Sequence, residues 1–284
     1  MPWGAGSTHN AVGVRPGVLL ALPVCAGGLF LLLPLVALVA RSLSEQGLGG
    51  IADTVGNDLF VDAVKRTLLL SLVVMLLCCL IGTIYSLALV ASPRPIAVVL
   101  LAVLFSTFWI SILVRTFGWV LLFEPNGALD QLLHSLGLRS KPLDLLQTTP
   151  AMYPAMVHVM LPFFILPVYA SCLRLDPQLL RAGQSLGAKP LAVVRHIVLP
   201  HLRPAILAGA SIVFMLSLAF YVTPLLLGGP GDLTVGTLIA REFNQLYDLG
   251  SAATMAVILL VVILALYLVV DRCVRLMPAI GDQP

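Results

Sequence analysis

The chain contains 284 residues, of which 60% are hydrophobic and only 10% are charged, and its mean hydropathy is +1.05. This composition excludes an ordinary soluble domain and predicts a protein embedded in a lipid bilayer. The net charge of +3 is small and reflects a bias of basic residues toward one side of the membrane. It therefore gives no separate support for a nucleic-acid partner.

Six stretches of the chain are long and apolar enough to cross a bilayer, which requires roughly 20 residues per helix. We predict that all six are helices, because backbone amides in hydrocarbon must be hydrogen-bonded within their own segment and the alternation of a β-barrel is missing. The first stretch is longer than the apolar core of a signal peptide, which favours a retained helix. The six runs are residues 18–40, 67–92, 96–123 (interrupted by Arg115), 151–173, 205–227 and 251–270.

The expected fold class is thus an all-α membrane protein with six transmembrane helices. We divide it into an N-terminal tail at 1–17, a first transmembrane helix at 18–40, a five-helix transmembrane domain at 62–272 and a C-terminal tail at 273–284. Nine Lys and Arg residues fall on the side of the termini and six on the other side. Since basic residues are enriched in cytoplasmic loops, both termini are predicted to be cytoplasmic.

No motif in the chain predicts a cofactor or a metal site. The five cysteines lie in or beside apolar runs, without C-x-x-C spacing or a histidine at metal spacing, and we interpret them as packing residues. The phosphate-binding pattern G-x-x-x-x-G-K-[ST] is missing, because the sequence has no Gly-Lys dipeptide. If ATP powers this protein, another polypeptide must bind the ATP.

Residues 176–203 form a basic, polar segment between the fourth and fifth apolar runs. Asp176 is a good helix N-cap, Pro177 suits the first helical position, and apolar residues at helical spacing predict a short amphipathic helix at 178–186. Gly187 should end it, and a second helix should begin at Lys189-Pro190 and continue to Pro200. A helix that only lies at the membrane surface with its arginines among lipid headgroups is the alternative interpretation.

The same segment contains Gly183-Gln184-Ser185-Leu186-Gly187, which matches the G-x-S-x-G motif of serine hydrolases. That chemistry requires the serine on a strand-to-helix turn and a histidine oriented by an acid. Ser185 instead lies inside a predicted helix, and no acid lies between it and His201. The pattern therefore disfavours a membrane-embedded hydrolase.

The spacing Arg181-Ala182-Gly183, Gly187, Ile197 and Leu199-Pro200 resembles the E-A-A-x₃-G-x₉-I-x-L-P loop of binding-protein-dependent ABC importer permeases. The resemblance implies a type I permease fold in which this loop is a cytoplasmic coupling helix that docks on an ATPase. Arg181 occupies the place of the usual Glu, and Gly183 that of the second Ala. The residues implied in coupling are Arg181, Ala182, Gly183, Ser185, Gly187, Ala188, Ile197, Leu199 and Pro200.

The resemblance also implies the setting and the partners. These are a bacterial inner membrane, two ATPase subunits that carry the ATP and Mg, a second homologous permease subunit and a periplasmic solute-binding protein. No cofactor is expected on this chain, and it is not expected to be an enzyme itself. An ion-coupled secondary transporter is the competing class, but it would normally show an acid within the membrane and inverted repeats, and neither is found.

Over about residues 67–272 the chain is similar to the spermidine/putrescine type of these permeases. The segments FWISILVRTFGWVLLFEPNGALDQLL (108–133) and AFYVTPLLLGGPGDLTVGTLI (219–239) carry this similarity. It implies a polyamine as the solute, although permeases for other small organic solutes, anionic or zwitterionic, share these features.

The intramembrane residues indicate part of a solute pathway. Trp109 and Tyr221 could hold an organic cation through cation–π contacts, since no Asp or Glu occurs within the six runs. Arg115 is predicted to face the bundle or a polar cavity, where a hydrogen bond to carbonyls of a neighbouring broken helix is its simplest role. Thr223-Pro224 is the preferred pathway element, with a plain proline kink as the alternative.

Overall fold

A computed structural model describes residues 16–138 and 144–276, and within these ranges the chain is helical with no strand. The predicted tails fall mostly outside them, at 1–15 and 277–284. The helices are α1 (Pro16–Glu45), α2 (Gly47–Gly56), α3 (Asp58–Ala91), α4 (Arg94–Trp109), α5 (Ile112–Phe123), α6 (Ala128–Ser135), α7 (Thr149–Cys172), α8 (Pro177–Ser185), α9 (Pro190–Val193), α10 (Leu199–Ala219), α11 (Val222–Leu227), α12 (Val235–Arg241) and α13 (Leu249–Leu276). π-helical turns at Val194–Val198 and Glu242–Leu246 follow α9 and α12.

Six membrane crossings are present if one bent pair of helices counts as a single span. Five helices in the described ranges are long and apolar enough by themselves, and the sixth crossing consists of Arg94–Trp109 and Ile112–Ser135, which meet at 104°. The five are Pro23–Glu45, Asp58–Ala91, Thr149–Cys172, Pro190–Ala219 and Leu249–Val269.

The prediction of one continuous helix at 96–123 was therefore wrong. Ile110 and Ser111 adopt extended backbone conformations, with ψ of 127° and 139°, between α4 and α5. The sequence around them favours a break, because Ser111 lies between the β-branched residues Ile110 and Ile112, and all three are weak helix formers. The break leaves backbone amides and carbonyls free at the junction.

The fifth crossing also differs from its prediction at both ends. Pro200 does not end a helix, since α9, the π-helical turn and α10 form one span from Pro190 to Ala219. The turn shifts the hydrogen-bond register just before Pro200, which has no amide hydrogen to donate, and the amide of Leu199 donates to the carbonyl of Val194. At its other end this span stops at Ala219, and a short helix, α11, replaces the expected continuation to residue 227.

The core is formed by α3, α7 and α10, which pack against one another around Phe164 of α7. The Phe164 side chain is fully buried between Gly82 of α3 and Gly209 of α10. A Cβ atom on Gly82 would collide with the ring, and one on Gly209 would lie 3.0 Å from Phe164 Cδ2. Small residues thus let the three helices approach closely, as is common where helices pack within a membrane.

The first helix packs mainly on the last, through polar contacts near the ends of both. Ser42 and Thr254 hydroxyls are buried and 2.9 Å apart, and the Gln46 amide donates to Ser251 Oγ at 3.2 Å. The most apolar stretch of α1 contains no buried residue. Most of α1 therefore presents its side chains to lipid or to another protein.

Candidate functional site

The 176–203 segment folds as two helices joined by a left-handed turn. Asp176 Oδ1 accepts a hydrogen bond from the Gln178 amide at 2.8 Å, which caps α8 as the sequence predicts. At the other end the Ala188 amide donates to the Gly183 carbonyl at 3.1 Å, and Gly187 has φ +76°. This geometry closes α8 with a glycine in the conformation that L-residues rarely adopt.

Two residues of the importer-like pattern touch each other. A Cβ atom on Gly183 would lie 3.0 Å from Ile197 Cδ1 and 3.5 Å from Val193 Cγ2, so α8 rests directly on the first turns of the fifth crossing. The side chains of Ile197 and Val193 thus leave little space for a side chain at position 183. Ile197 is part of the π-helical turn, so the contact joins α8 to the span Pro190–Ala219.

The outer surface of this segment is apolar and basic. Leu186 is 88% exposed and Leu191 78% exposed, while Leu199 and Pro200 are half-buried. Arg181, Ala182 and Ser185 are exposed as well. Four exposed arginines near the segment have no carboxylate within ion-pair distance in the described part of the chain: Arg174, Arg181, Arg195 and Arg203.

Ser185 does not have the surroundings of a hydrolase nucleophile. It is the last residue of α8 rather than part of a strand-to-helix turn. The ring Nδ1 of His196, one of the two following histidines, lies 2.9 Å from the carbonyl of Ala192 within its own helix. The G-x-S-x-G match therefore arises from a helix and its C-terminal glycine.

Two of the predicted pathway residues, Trp109 and Arg115, line one cavity of about 360 Å³ at the break between α4 and α5. Arg115 donates from Nη2 to the Ile110 carbonyl at 3.2 Å, so its partner is the break in its own bent span rather than a neighbouring helix. Its Nε is buried without a hydrogen-bond partner, and Trp109 is 90% exposed. We call this space the Arg115 cavity, and it is lined by Thr107, Phe108, Trp109, Ile110, Ser111, Ile112, Arg115, Val159, Pro162 and Phe163.

Pro224 lines a different and larger cavity of about 630 Å³, which we call the Asp232 cavity. Its polar lining includes the Asp232 carboxylate, the Arg241 guanidinium and three side-chain amides, those of Gln147, Asn244 and Gln245. Thr223 is buried instead, with its hydroxyl 3.4 Å from that of Thr116 on α5. Tyr221 is 45% exposed and occupies the break between α10 and α11. The predicted pathway residues are thus not gathered in one site.

Sequence reasoning missed two polar residues near these cavities. His158 of α7 accepts a hydrogen bond at Nδ1 from the Trp119 indole at 3.2 Å, one helical turn beyond Arg115. Asp232 follows the fifth apolar run, so a search for acids within the runs could not find it. Only the fold of the loop after α11 brings it to Thr149 at the start of α7, where its Oδ1 accepts a 2.6 Å hydrogen bond.

Comparison with known proteins identifies the class of this chain. Residues 17–277 match the family described as binding-protein-dependent transport system inner membrane component. The chain belongs to this family. It is therefore a multi-pass inner-membrane permease subunit of an ABC importer, and ATP hydrolysis belongs to a separate subunit.

Individual relatives agree with that assignment. The permease is 29% identical over 221 residues to the spermidine/putrescine transport system permease protein PotB of Escherichia coli K12, covering 78% of this chain and 80% of the relative. It is 31% identical to the Haemophilus influenzae protein of the same name, over 73% of each chain. A putative 2-aminoethylphosphonate transport system permease, PhnU of Salmonella typhimurium LT2, is 27% identical over 90% of this chain and 92% of its own.

Solved structures establish the fold of the permease. A chain of a bacterial ABC transporter involved in the import of the acidic polysaccharide alginate superposes with a TM-score of 0.82, at 20% identity, over 92% of this chain and 96% of the other. A chain of the MetNI methionine ABC transporter superposes with a TM-score of 0.58, at 18% identity, over 76% and 95%. The permease thus has the predicted type I importer fold.

Proposed function

We propose that this permease is one of two transmembrane subunits of an ATP-driven importer for polyamines such as spermidine and putrescine. The observation that carries the proposal is its relation to PotB, which extends over 78% of the chain. A periplasmic binding protein would deliver the solute, and two ATPase subunits would hold ATP and Mg. This chain itself would bind no cofactor.

The coupling role of the 176–203 segment is part of the same proposal. Its two strongly exposed leucines, Leu186 and Leu191, would fill an apolar groove on the ATPase. The contact of Gly183 with Ile197 would then pass movement of α8 to the fifth crossing. This docking requires residues 176–203, and with them both termini, to be cytoplasmic.

A second candidate solute is an anionic or zwitterionic organic molecule. The Arg115 cavity favours it, because a partly buried guanidinium with an unpaired Nε attracts a carboxylate or phosphonate and repels a polycation. The relation to PhnU, which covers 90% of the chain, points to the same class. A polyamine would instead use aromatic faces such as those of Trp109 and Tyr221.

Competition for uptake distinguishes the two candidates. In cells whose only polyamine importer is this system, we expect uptake of labelled putrescine and spermidine that unlabelled polyamines inhibit and 2-aminoethylphosphonate does not. Failure to import either polyamine, together with uptake of the phosphonate, would contradict the polyamine assignment and support the anionic class.

A further inference from the structure

We infer that Asp232 recognises an ammonium group of the solute at the outer mouth of the permease, a role that rests on the proposed polyamine transport. Its loop follows the fifth crossing and contacts the start of α7, and both lie on the side opposite the coupling segment along their helices. With the coupling segment cytoplasmic, Asp232 faces the periplasm, where the binding protein releases its solute.

The carboxylate is held in place but keeps one oxygen free. Oδ1 accepts the hydrogen bond from Thr149 Oγ1 at 2.6 Å, and the Asp232 amide donates to the Gly229 carbonyl at 2.9 Å. No donor within residues 16–138 and 144–276 reaches Oδ2. A half-buried, oriented carboxylate with an unused oxygen is the group that a primary ammonium requires, since it supplies a charge-assisted hydrogen bond without further rearrangement.

Asp232 lies where two cavities meet. It lines the Asp232 cavity of about 630 Å³ and a second cavity of about 240 Å³, which contains the side chain of Tyr153 and which we call the Tyr153 cavity. Tyr153 lines one of these cavities together with Asp232, and Gln147 and Gln245 line the other. A carboxylate beside an aromatic face combines ion pairing with cation–π attraction, the chemistry that suits alkylammonium ions.

Two arginines line the same spaces, and their charges oppose the binding of a cation. Arg66 borders the Tyr153 cavity and donates to the Gly231 carbonyl, and Arg241 borders the Asp232 cavity. Neither forms an ion pair with Asp232, and both side chains are exposed, so water and salt screen them more strongly than they screen the half-buried carboxylate. The balance at Oδ2 therefore favours a cation.

A carboxylate at Asp232 supplies the negative charge that the membrane-spanning runs lack. The six apolar runs contain no Asp or Glu that could neutralise a polycation as it enters. Asp232 places a negative charge in the cavity that Pro224 also lines, the residue of this cavity that sequence reasoning assigned to the pathway. Recognition then begins at the mouth of the pathway rather than within the membrane.

The test uses the complete importer reconstituted in liposomes with its binding protein, and two matched variants. Asp232→Asn removes the charge but keeps an oxygen that can accept from Thr149, whereas Thr149→Val removes that hydrogen bond and keeps the charge. We expect Asp232→Asn to lower maximal putrescine uptake about tenfold, the size of effect of one charge-assisted contact. Its ATP hydrolysis stimulated by the binding protein should persist. Thr149→Val leaves the charge but frees the carboxylate to move, so its uptake should lie between that of the wild type and that of Asp232→Asn.

Other outcomes would contradict either the role of Asp232 or the proposed polyamine function. Wild-type rates of putrescine and spermidine uptake by Asp232→Asn would overturn the role of Asp232 and leave the polyamine function intact. Equal losses in Asp232→Asn and Thr149→Val, or a parallel loss of uptake and ATP hydrolysis, would show that Asp232 only supports the loop. If the wild-type importer moves neither polyamine, the proposed function itself fails.

Discussion

At the scale of single residues, two glycines of the coupling segment are constrained in different ways. A Cβ at position 183 would lie 3.0 Å from Ile197 Cδ1, a close contact that requires the isoleucine side chain to move slightly. Gly187 has open space around its Cα but a φ of +76°, which costs an L-residue roughly 1 kcal/mol or more. Side-chain packing thus limits which residues fit at position 183, and the left-handed backbone conformation limits which residues fit at position 187.

We predict that Gly187→Val impairs coupling. A β-branched residue is strained in the left-handed conformation, so the end of α8 should shift away from its docked position. ATP-driven solute uptake should fall several-fold or more, and less ATPase should copurify with the permease. Gly187→Asn is the matched control, because Asn tolerates this conformation, and it should retain most of the activity. Full uptake by Gly187→Val would contradict the coupling role of this turn.

Sequence reasoning identified residues whose roles depend on near neighbours in the chain, and it missed residues whose partners are distant in the chain. Asp176 and Gly187 were predicted because capping and helix termination depend on neighbours within a few residues. Asp232 and His158 were not, because their partners Thr149 and Trp119 are 83 and 39 residues away in the chain. No local pattern encodes such contacts.

At the scale of helices, hydropathy predicted which segments cross the membrane but not where they bend. Length and apolar content are enough to place a span in a bilayer. The break at Ile110 and Ser111 is not marked by charge, glycine or proline, so a search for uncharged runs continued through it. Pro200, by contrast, predicted an end that the π-helical turn removes.

The packing of α3, α7 and α10 gives a prediction for stability. Gly82→Ala places a Cβ against the fully buried ring of Phe164, and overpacking of this kind typically costs about 1–3 kcal/mol. We expect a lower unfolding temperature for the purified permease in detergent. Gly118→Ala, in a transmembrane helix with nothing within 4 Å of the new Cβ, should leave the temperature unchanged or raise it.

A second substitution tests whether contact with the Phe164 ring causes the loss of stability in Gly82→Ala. Phe164→Leu in the Gly82→Ala background removes the atoms that the new methyl group meets, so part of the lost stability should return. An unfolding temperature for Gly82→Ala equal to that of the wild type would show that α3 and α7 can move apart to accommodate the methyl group without losing stability.

At the scale of the whole molecule, the distribution of charge predicts the orientation in the membrane. The arginines near the coupling segment are exposed and lack carboxylate partners among the described residues, whereas Arg41 and Lys65 on the opposite side pair with Glu45 at 2.9 Å and Asp62 at 3.0 Å. The opposite side also has two exposed arginines without a carboxylate partner in the described residues, Arg66 and Arg241, against four near the coupling segment. The positive-inside rule assigns the side with more basic charge to the cytoplasm.

Cysteine labelling checks this orientation. With the native cysteines replaced, Lys189→Cys should react with a membrane-impermeant thiol reagent only after the cells are opened. Asn244→Cys, on the opposite side and exposed, is the matched control and should react in intact cells. Labelling of Lys189→Cys in intact cells would reverse the topology and exclude docking of the coupling segment on a cytoplasmic ATPase.

The unbroken helix from Pro190 to Ala219 has a mechanical consequence. Its 30 residues make a rod about 45 Å long, with the contact to Gly183 near one end and the break at Phe220 and Tyr221 at the other. From Ile197, which contacts Gly183, to Ala219 is about 33 Å at the helical rise per residue, so a tilt of about 5° about this contact would move the far end by about 3 Å. In the docking proposed above, the span would act as a lever, so that a small displacement of the coupling segment would become a larger one on the opposite side of the membrane.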